Sequence, residues 1–69
     1  MRLSARNVIK GKVKKVIHGA VNSEITIELP GGAEVVSVIT RSSAKSLKLA
    51  RGKEAYAIIK ATNVMIAVE

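Results

Sequence analysis

The stretch His18-Gly19-Ala20-Val21-Asn22-Ser23-Glu24-Ile25-Thr26-Ile27-Glu28-Leu29-Pro30-Gly31-Gly32 decides the fold. Over residues 24–29 polar and apolar side chains alternate without a break. Ile25, Ile27 and Leu29 point one way and Glu24, Thr26 and Glu28 the other, the period of a half-buried strand. After it, Pro30 presets its own φ while Gly31 and Gly32 permit positive φ, so the chain turns there. Before it, residues 18–22 read as a turn. The preceding stretch alternates Val13, Lys15 and Ile17 against Lys12, Lys14 and Val16, a strand with one wet face. Paired as a hairpin, the two strands set lysines beside glutamates, which favours the register modestly.

Working outward, residues 33–40 form a third strand that is apolar on both faces, with Val35 and Ile39 on one and Val36 and Val38 on the other. Residues 41–47 break the alternation: Ser42 or Ser43 can cap a helix of one or two turns, with Leu47 and Leu49 tucked inward. Arg51-Gly52-Lys53 turns the chain into a fourth strand over residues 55–59, and residues 64–68 read as a fifth. Five short strands with a helix between the third and fourth is the order of an OB-type barrel. The expectation is therefore an all-β, five-stranded OB-like barrel, a single domain over residues 1–69.

Sixty-nine residues make a small domain, one that buries only roughly 60% of the surface its unfolded chain exposes. The usual supplements are disulfides, a metal or oligomerisation. With no cysteine and one histidine, His18, oligomerisation is what remains. Three strands with two apolar faces agree, because a small isolated barrel cannot cover them and some must meet another subunit.

Twelve Lys and Arg against five acidic residues, all glutamate, give a net charge of +7 and imply an anionic partner. A nucleic-acid-binding OB-type module is the alternative reading. Against it stands Tyr56, the single aromatic residue, since single-strand binders on small barrels stack bases on aromatic rings. Nothing resembles a catalytic constellation: His18 sits in a turn with no aspartate to orient it, so the chain is not expected to be an enzyme. There is no apolar run of signal-peptide length at the N-terminus, nor one near the ~20 residues of a membrane span. A cytoplasmic protein without membrane association is expected.

Two segments at opposite ends carry the chemistry, Ser4-Ala5-Arg6-Asn7 and Lys60-Ala61-Thr62-Asn63. Each sets one fixed positive charge among small hydroxyl and amide residues. That suits a tetrahedral oxyanion: Arg6 and Lys60 supply charge, Ser4 and Thr62 supply O–H donors, and alanines let backbone N–H groups approach. Neither segment holds a carboxylate, so a metal cation is a poor candidate. The competing role for Arg6 is a salt bridge with Glu54 or Glu69, and for Lys60 a plain exit from a strand into solvent. The loop Gly19-Ala20-Val21-Asn22 is a second, weaker anion candidate, because small residues expose consecutive N–H groups. Its other reading is a simple strand turn.

The stretches Leu3-Ser4-Ala5-Arg6-Asn7-Val8-Ile9-Lys10-Gly11-Lys12-Val13, Gly19-Ala20-Val21-Asn22 and Ala55-Tyr56-Ala57-Ile58-Ile59-Lys60-Ala61-Thr62-Asn63-Val64-Met65 closely resemble the small bacterial molybdenum-pterin-binding proteins called molbindins. The resemblance runs along nearly the whole chain. It implies an OB-like barrel assembled as a homohexamer, a trimer of dimers, that binds molybdate, or tungstate of nearly equal size and charge, for molybdenum storage. No organic cofactor is implied. The segment matching Ser4 to Asn7 of one subunit would face that matching Lys60 to Thr62 of another, with Thr40 adding a hydroxyl. The residues 19–22 would hold further oxyanions near a threefold axis. Ala67 stands where relatives often have glycine, a departure that bears on packing more than on ligand binding.

Overall fold

The computed structural model describes residues 5–69. Along them run β1 (Asn7–His18), β2 (Asn22–Glu28), β3 (Glu34–Thr40), α1 (Arg41–Ser46), β4 (Glu54–Ile59) and a single 3-10 turn, Ala61–Asn63. The sheet is antiparallel, in the order β3-β2-β1-β4. Its spine is β1. The C-terminal half of that strand pairs with β2, from Lys12↔Glu28 to His18↔Ser23. Its N-terminal half pairs with β4, from Asn7↔Ile59 to Lys12↔Glu54. A strand that changes neighbours along its length curls the sheet into an open half-barrel.

Two local features allow the curl. A Cβ on Gly11 would lie 2.5 Å from the Glu28 carbonyl oxygen and 2.7 Å from Ile27 Cγ2, so β2 can approach only a residue without a side chain. Just beyond, Val13 faces Ile27 and Lys15 faces Thr26, which leaves Lys14 as the extra residue of a β-bulge. The bulge is pinned by the turn before β4: the Val13 N–H donates to the Lys53 carbonyl at 2.9 Å, and the Gly52 N–H to the Val13 carbonyl at 2.8 Å.

The bulge corrects the expected alternation in this strand. An inserted residue reverses the parity of everything after it. Val13 is buried and Val16 packs against the core, while Lys15 and Ile17 face outward. In β2 the expected faces hold, with Ile25 and Ile27 buried and Glu24 and Glu28 exposed; Thr26 is buried as well. The Pro30-Gly31-Gly32 turn is present, its two glycines at φ 91° and 96°.

A small core of Val13, Ile25, Ile27, Ala44 and Ala57 sits inside the curl, flanked by Val16, Leu29, Val35, Ile39, Leu49 and Ala55. Helix α1 contributes Ala44 and is capped by Thr40, whose hydroxyl oxygen accepts from the Ser43 N–H at 3.0 Å. The cap is thus the last strand residue, not Ser42 or Ser43, because the extended backbone of Thr40 aims its oxygen at the first turn. At the other end of α1 the Leu49 N–H reaches the Ala44 carbonyl (3.1 Å) and the Lys48 N–H reaches that of Lys45 (3.0 Å). This is a Schellman closure, with Lys48 at φ 54° in the place usually held by glycine. The closure turns Leu49 into the core and leaves Leu47 more than half exposed, so only one of the two leucines is tucked in.

The fifth strand is absent among the described residues. Residues 64–69 carry the alternating apolar pattern, but a strand exists only through ladder bonds to a neighbour, and here they meet none. They leave the 3-10 turn extended, Val64 having φ −89° and ψ 121°, and Met65, Ile66 and Val68 are 93%, 89% and 90% exposed. Thirteen large hydrophobic residues are exposed among the described residues against five apolar residues in the core, an imbalance that leaves apolar surface for a partner. No helix among them is long and apolar enough to cross a membrane.

Candidate oxyanion site

The pairing of β1 with β4 brings the two ends of the chain together. Asn7 lies opposite Ile59, and its side-chain amide donates to the Ile59 carbonyl at 3.1 Å. Arg6 precedes this tie and Lys60 follows it. They line one open depression of ≈ 400 Å³ together with Ala61 and Thr62. The strand pairing, which joins Asn7 to Ile59 across a sequence separation of 52, is what makes neighbours of Arg6 and Lys60.

The walls of this depression are chemically one-sided. Two cations and a hydroxyl surround it, and no carboxylate lines it. Among the described residues the ion pairs are Lys10–Glu54 at 3.4 Å and Lys14 with both Glu28 (3.7 Å) and Glu34. Glu54, the partner considered for Arg6, is therefore engaged by Lys10, and neither Arg6 nor Lys60 belongs to any of these pairs. The 3-10 turn adds backbone donors. The Asn63 N–H closes onto the Lys60 carbonyl (2.8 Å), which leaves the Ala61 and Thr62 N–H groups at the open end of the turn. Two charged donors, one hydroxyl and turn amides form a donor set for a small anion. Among the described residues no cluster of His, Cys, Asp or Glu offers a metal cation a site.

The other expected site residues fall elsewhere. Ala5 is half-buried and does not line the depression. Ser4 lies outside the described residues. Asn7 ties β1 to β4 rather than facing the depression. Thr40 stands opposite Asn22, beside the residues 19–22 and away from Arg6 within the chain, and its hydroxyl is engaged by Ser43, including an O–H···O contact of 2.7 Å to Ser43 Oγ.

The loop itself is a tight closure: the Gly19 N–H donates to the Asn22 carbonyl at 2.7 Å, so one of its amides is already used. Sequence reasoning missed a residue here. The Arg41 N–H donates to the Val21 carbonyl (2.8 Å), and its guanidinium reaches the Gly19 carbonyl at 3.4 Å, which puts a fixed cation on this loop. The only available signal was that Arg41 follows Thr40, and that says nothing without the β2–β3 register. Nearby, His18 Nδ1 and the buried Ser23 hydroxyl are hydrogen-bonded at 2.6 Å.

Comparison with known proteins identifies the family of the chain. The TOBE domain profile matches residues 3–66, a span that holds Arg6, the residues 19–22 and Lys60 to Thr62. The chain belongs to the TOBE domain family. Within it, the similarity is to molybdenum-pterin-binding proteins: a probable molybdenum-pterin-binding protein of Haemophilus influenzae is 49% identical over 69 residues, covering 100% of both chains. Among solved structures, MopII from Clostridium pasteurianum superposes with a TM-score of 0.91 at 39% identity, covering 97% of this chain and 100% of its own. A molybdate-bound form of the cytoplasmic molybdate-binding protein ModG matches with a TM-score of 0.91 at 48% identity. That match covers 94% of this chain and 46% of the ModG chain. The TOBE chain thus shares its backbone with solved proteins of which one, ModG, is named for molybdate binding.

Proposed function

We propose that this TOBE-domain chain is a cytoplasmic molybdate-binding protein, with tungstate as the near-equivalent ligand, acting in molybdenum storage and homeostasis. The observation that carries the reading is the carboxylate-free depression between Arg6 and Lys60-Ala61-Thr62. Burying a dianion is expensive unless cationic, O–H and N–H donors replace its water. One chain supplies part of such a shell, on an open surface. A second subunit would supply the rest, so the site is completed at interfaces of a homohexamer built as a trimer of dimers. The oxyanion is held and released unchanged, and no organic cofactor takes part. The loop Gly19-Ala20-Val21-Asn22, with Arg41 beside it, is the second and weaker anion position.

Native mass spectrometry with and without molybdate tests assembly and stoichiometry together. Six chains that retain added mass on titration with molybdate are expected; a monomer at micromolar concentration overturns the reading. Thermal melts test the ligand. A ligand bound only by the folded form adds about 2.7 kcal/mol at a hundred times its Kd. Molybdate and tungstate should both raise Tm and phosphate much less. Equal shifts with phosphate would reveal a general anion effect, and tight, salt-sensitive binding of single-stranded DNA would favour a nucleic-acid module.

A further inference from the structure

The cations of this chain fall into two populations. On the strands they are matched by carboxylates: Lys10 pairs with Glu54, Lys14 with Glu28 and Glu34, and Lys12 lies in register opposite both Glu28 and Glu54. Residues 41–53 differ. Arg41, Lys45, Lys48, Arg51 and Lys53 stand there with no acidic residue among them, so α1 and the turn after it hold +5 of the chain's net +7. Local structure accounts for Lys53, whose ammonium donates to the Leu47 and Lys48 carbonyls at 2.6 and 3.4 Å where α1 ends. The Arg41 guanidinium reaches only the Gly19 carbonyl, at 3.4 Å. Lys45, Lys48 and Arg51 are exposed, and their side chains enter none of the ion pairs or hydrogen bonds among the described residues. Stability does not explain them either. Arg41 and Lys45 are four apart on α1, where like charges repel, and the first turn holds Arg41 and no acidic residue, the reverse of what a helix N-terminus favours.

We infer that the ridge formed by Arg41, Lys45, Lys48 and Arg51 is a polyanion surface that holds the phosphate backbone of a nucleic-acid duplex without reading its sequence. Composition selects the partner. Beside the cations stand the exposed Ser42, Ser46 and Gly52, and hydroxyls and free backbone beside Lys and Arg are what contacts phosphates. Protein interfaces instead favour aromatic residues and Met and are depleted in Lys and Ser. Residues 41–53 contain no aromatic residue and no Met, and their one large exposed hydrophobic is Leu47, which is also too little apolar surface for a lipid bilayer. Asn and Gln, which read base edges, are absent from the stretch, and it has no ring to stack on an unpaired base. That leaves a duplex held by its backbone. Spacing agrees, because residues four apart on a helix are separated by about 6 Å along its axis. Alternate phosphates of one strand recur at roughly 6.8 Å along a duplex. The ridge is distinct from the Arg6–Lys60 depression and does not rest on the molybdate reading: the turn at residues 51–53 enters β4 at Glu54, and Lys60 follows the far end of that strand, about 17 Å away.

The test is the salt dependence of binding to a short fluorescent DNA duplex, measured by anisotropy between about 50 and 200 mM salt. Each phosphate neutralised contributes about −0.9 to the slope of log Kobs against log salt, so one engaged ridge of four cations gives about −3.6. A Lys45→Gln/Lys48→Gln/Arg51→Gln variant should keep about a quarter of the parent's slope, whatever the number of ridges a duplex touches. A Lys10→Gln/Lys12→Gln/Lys15→Gln variant, of the same net charge but altered on β1, should keep the parent's slope, and duplexes of unrelated sequence should bind alike. No duplex binding at the low-salt end, or equal flattening in the two triple variants, overturns the inference; the second result would mean attraction by net charge alone. Tighter binding of a single strand of equal length overturns it too, as does displacement of the duplex by polyglutamate or by anionic vesicles as effective as by unlabelled duplex at equal charge. Molybdate titration of the ridge variant separates the two readings. Retained molybdate binding with a flattened slope is the expected pair of results, and absent molybdate binding in the parent leaves the slope experiment standing.

Discussion

Gly11 sits where β1 bends across the end of β2, and its missing side chain is a structural requirement. The obstruction met by an added Cβ is mainly a backbone oxygen, that of Glu28 at 2.5 Å, which cannot rotate away as a side chain can. Gly11→Ala is expected to destabilise the fold by about 1–3 kcal/mol, the usual range for overpacking. At roughly 4–8 °C per kcal/mol for a domain of this size, a thermal melt would detect it readily. An unchanged Tm would mean that the curl is softer than described. Sequence alone displays Gly11 as one glycine between two lysines. The contact that gives it meaning is with residues 27 and 28, reached only after the chain turns back. Lys48 is the same kind of residue: its left-handed backbone follows from the Schellman closure of α1, and nothing in its side chain announces that.

At the scale of the element, the bulge in β1 does most to distinguish the observed strand from the one read in the sequence. Lys14 is the inserted residue, and it reaches Glu28 on the adjacent β2 and Glu34 on β3 beyond it. The hydrogen bond to Glu34 and that carboxylate's charge raise the Lys14 ammonium above its ordinary 10.5, with desolvation opposing them and Glu28 adding a smaller effect. A raised folded-state value contributes stability that is fully present below the unfolded value and lost as pH rises through the folded one. Lys14→Met should therefore melt slightly below the parent at neutral pH. The difference should shrink above about pH 10.5 and also in molar salt, because the group is exposed and screened. A gap that widens with alkali would show that the lysine acts through something other than its charge. Strand β2 and the Pro30-Gly31-Gly32 turn were legible because their signals are local: a period of two, a fixed φ, two permissive glycines. A bulge is not local, since it is defined by the register of a partner strand.

For the whole molecule, the decisive experiment concerns charges that crowd together. If Arg6 and Lys60 hold a dianion at a boundary between chains, the unliganded assembly keeps like charges close, and each should oppose assembly slightly. Arg6→Met and Lys60→Met are then expected to abolish molybdate binding in calorimetric titration while leaving the unliganded oligomer as stable as the parent or more so. Retained binding with a lowered Tm would assign both residues to salt bridges instead, because removing one partner of a buried pair strands the other at a cost of about 3–5 kcal/mol. The three ion pairs among the described residues use neither residue, in line with the first outcome.

By itself the sequence determined the class of the fold and pointed to the chemistry of the proposed ligand. Alternation over residues 24–29 made strands, Pro30-Gly31-Gly32 made the turn, the basic excess without aspartate called for an anion, and Arg6 and Lys60 stood out because each lies among small donors with no carboxylate. These are properties of neighbours along the chain. Tertiary structure alone decided which strands pair, and with that the side of β1 on which Val16 and Ile17 fall, the capping of α1 by Thr40, the cation that Arg41 brings to the residues 19–22, and the open depression shared by Arg6 and Lys60. It also turned the expected fifth strand into a projecting arm. The pattern of residues 64–68 specifies that they suit a strand, but the edge that accepts them is set by where the preceding turn sends the chain, and no periodicity within the segment encodes that direction.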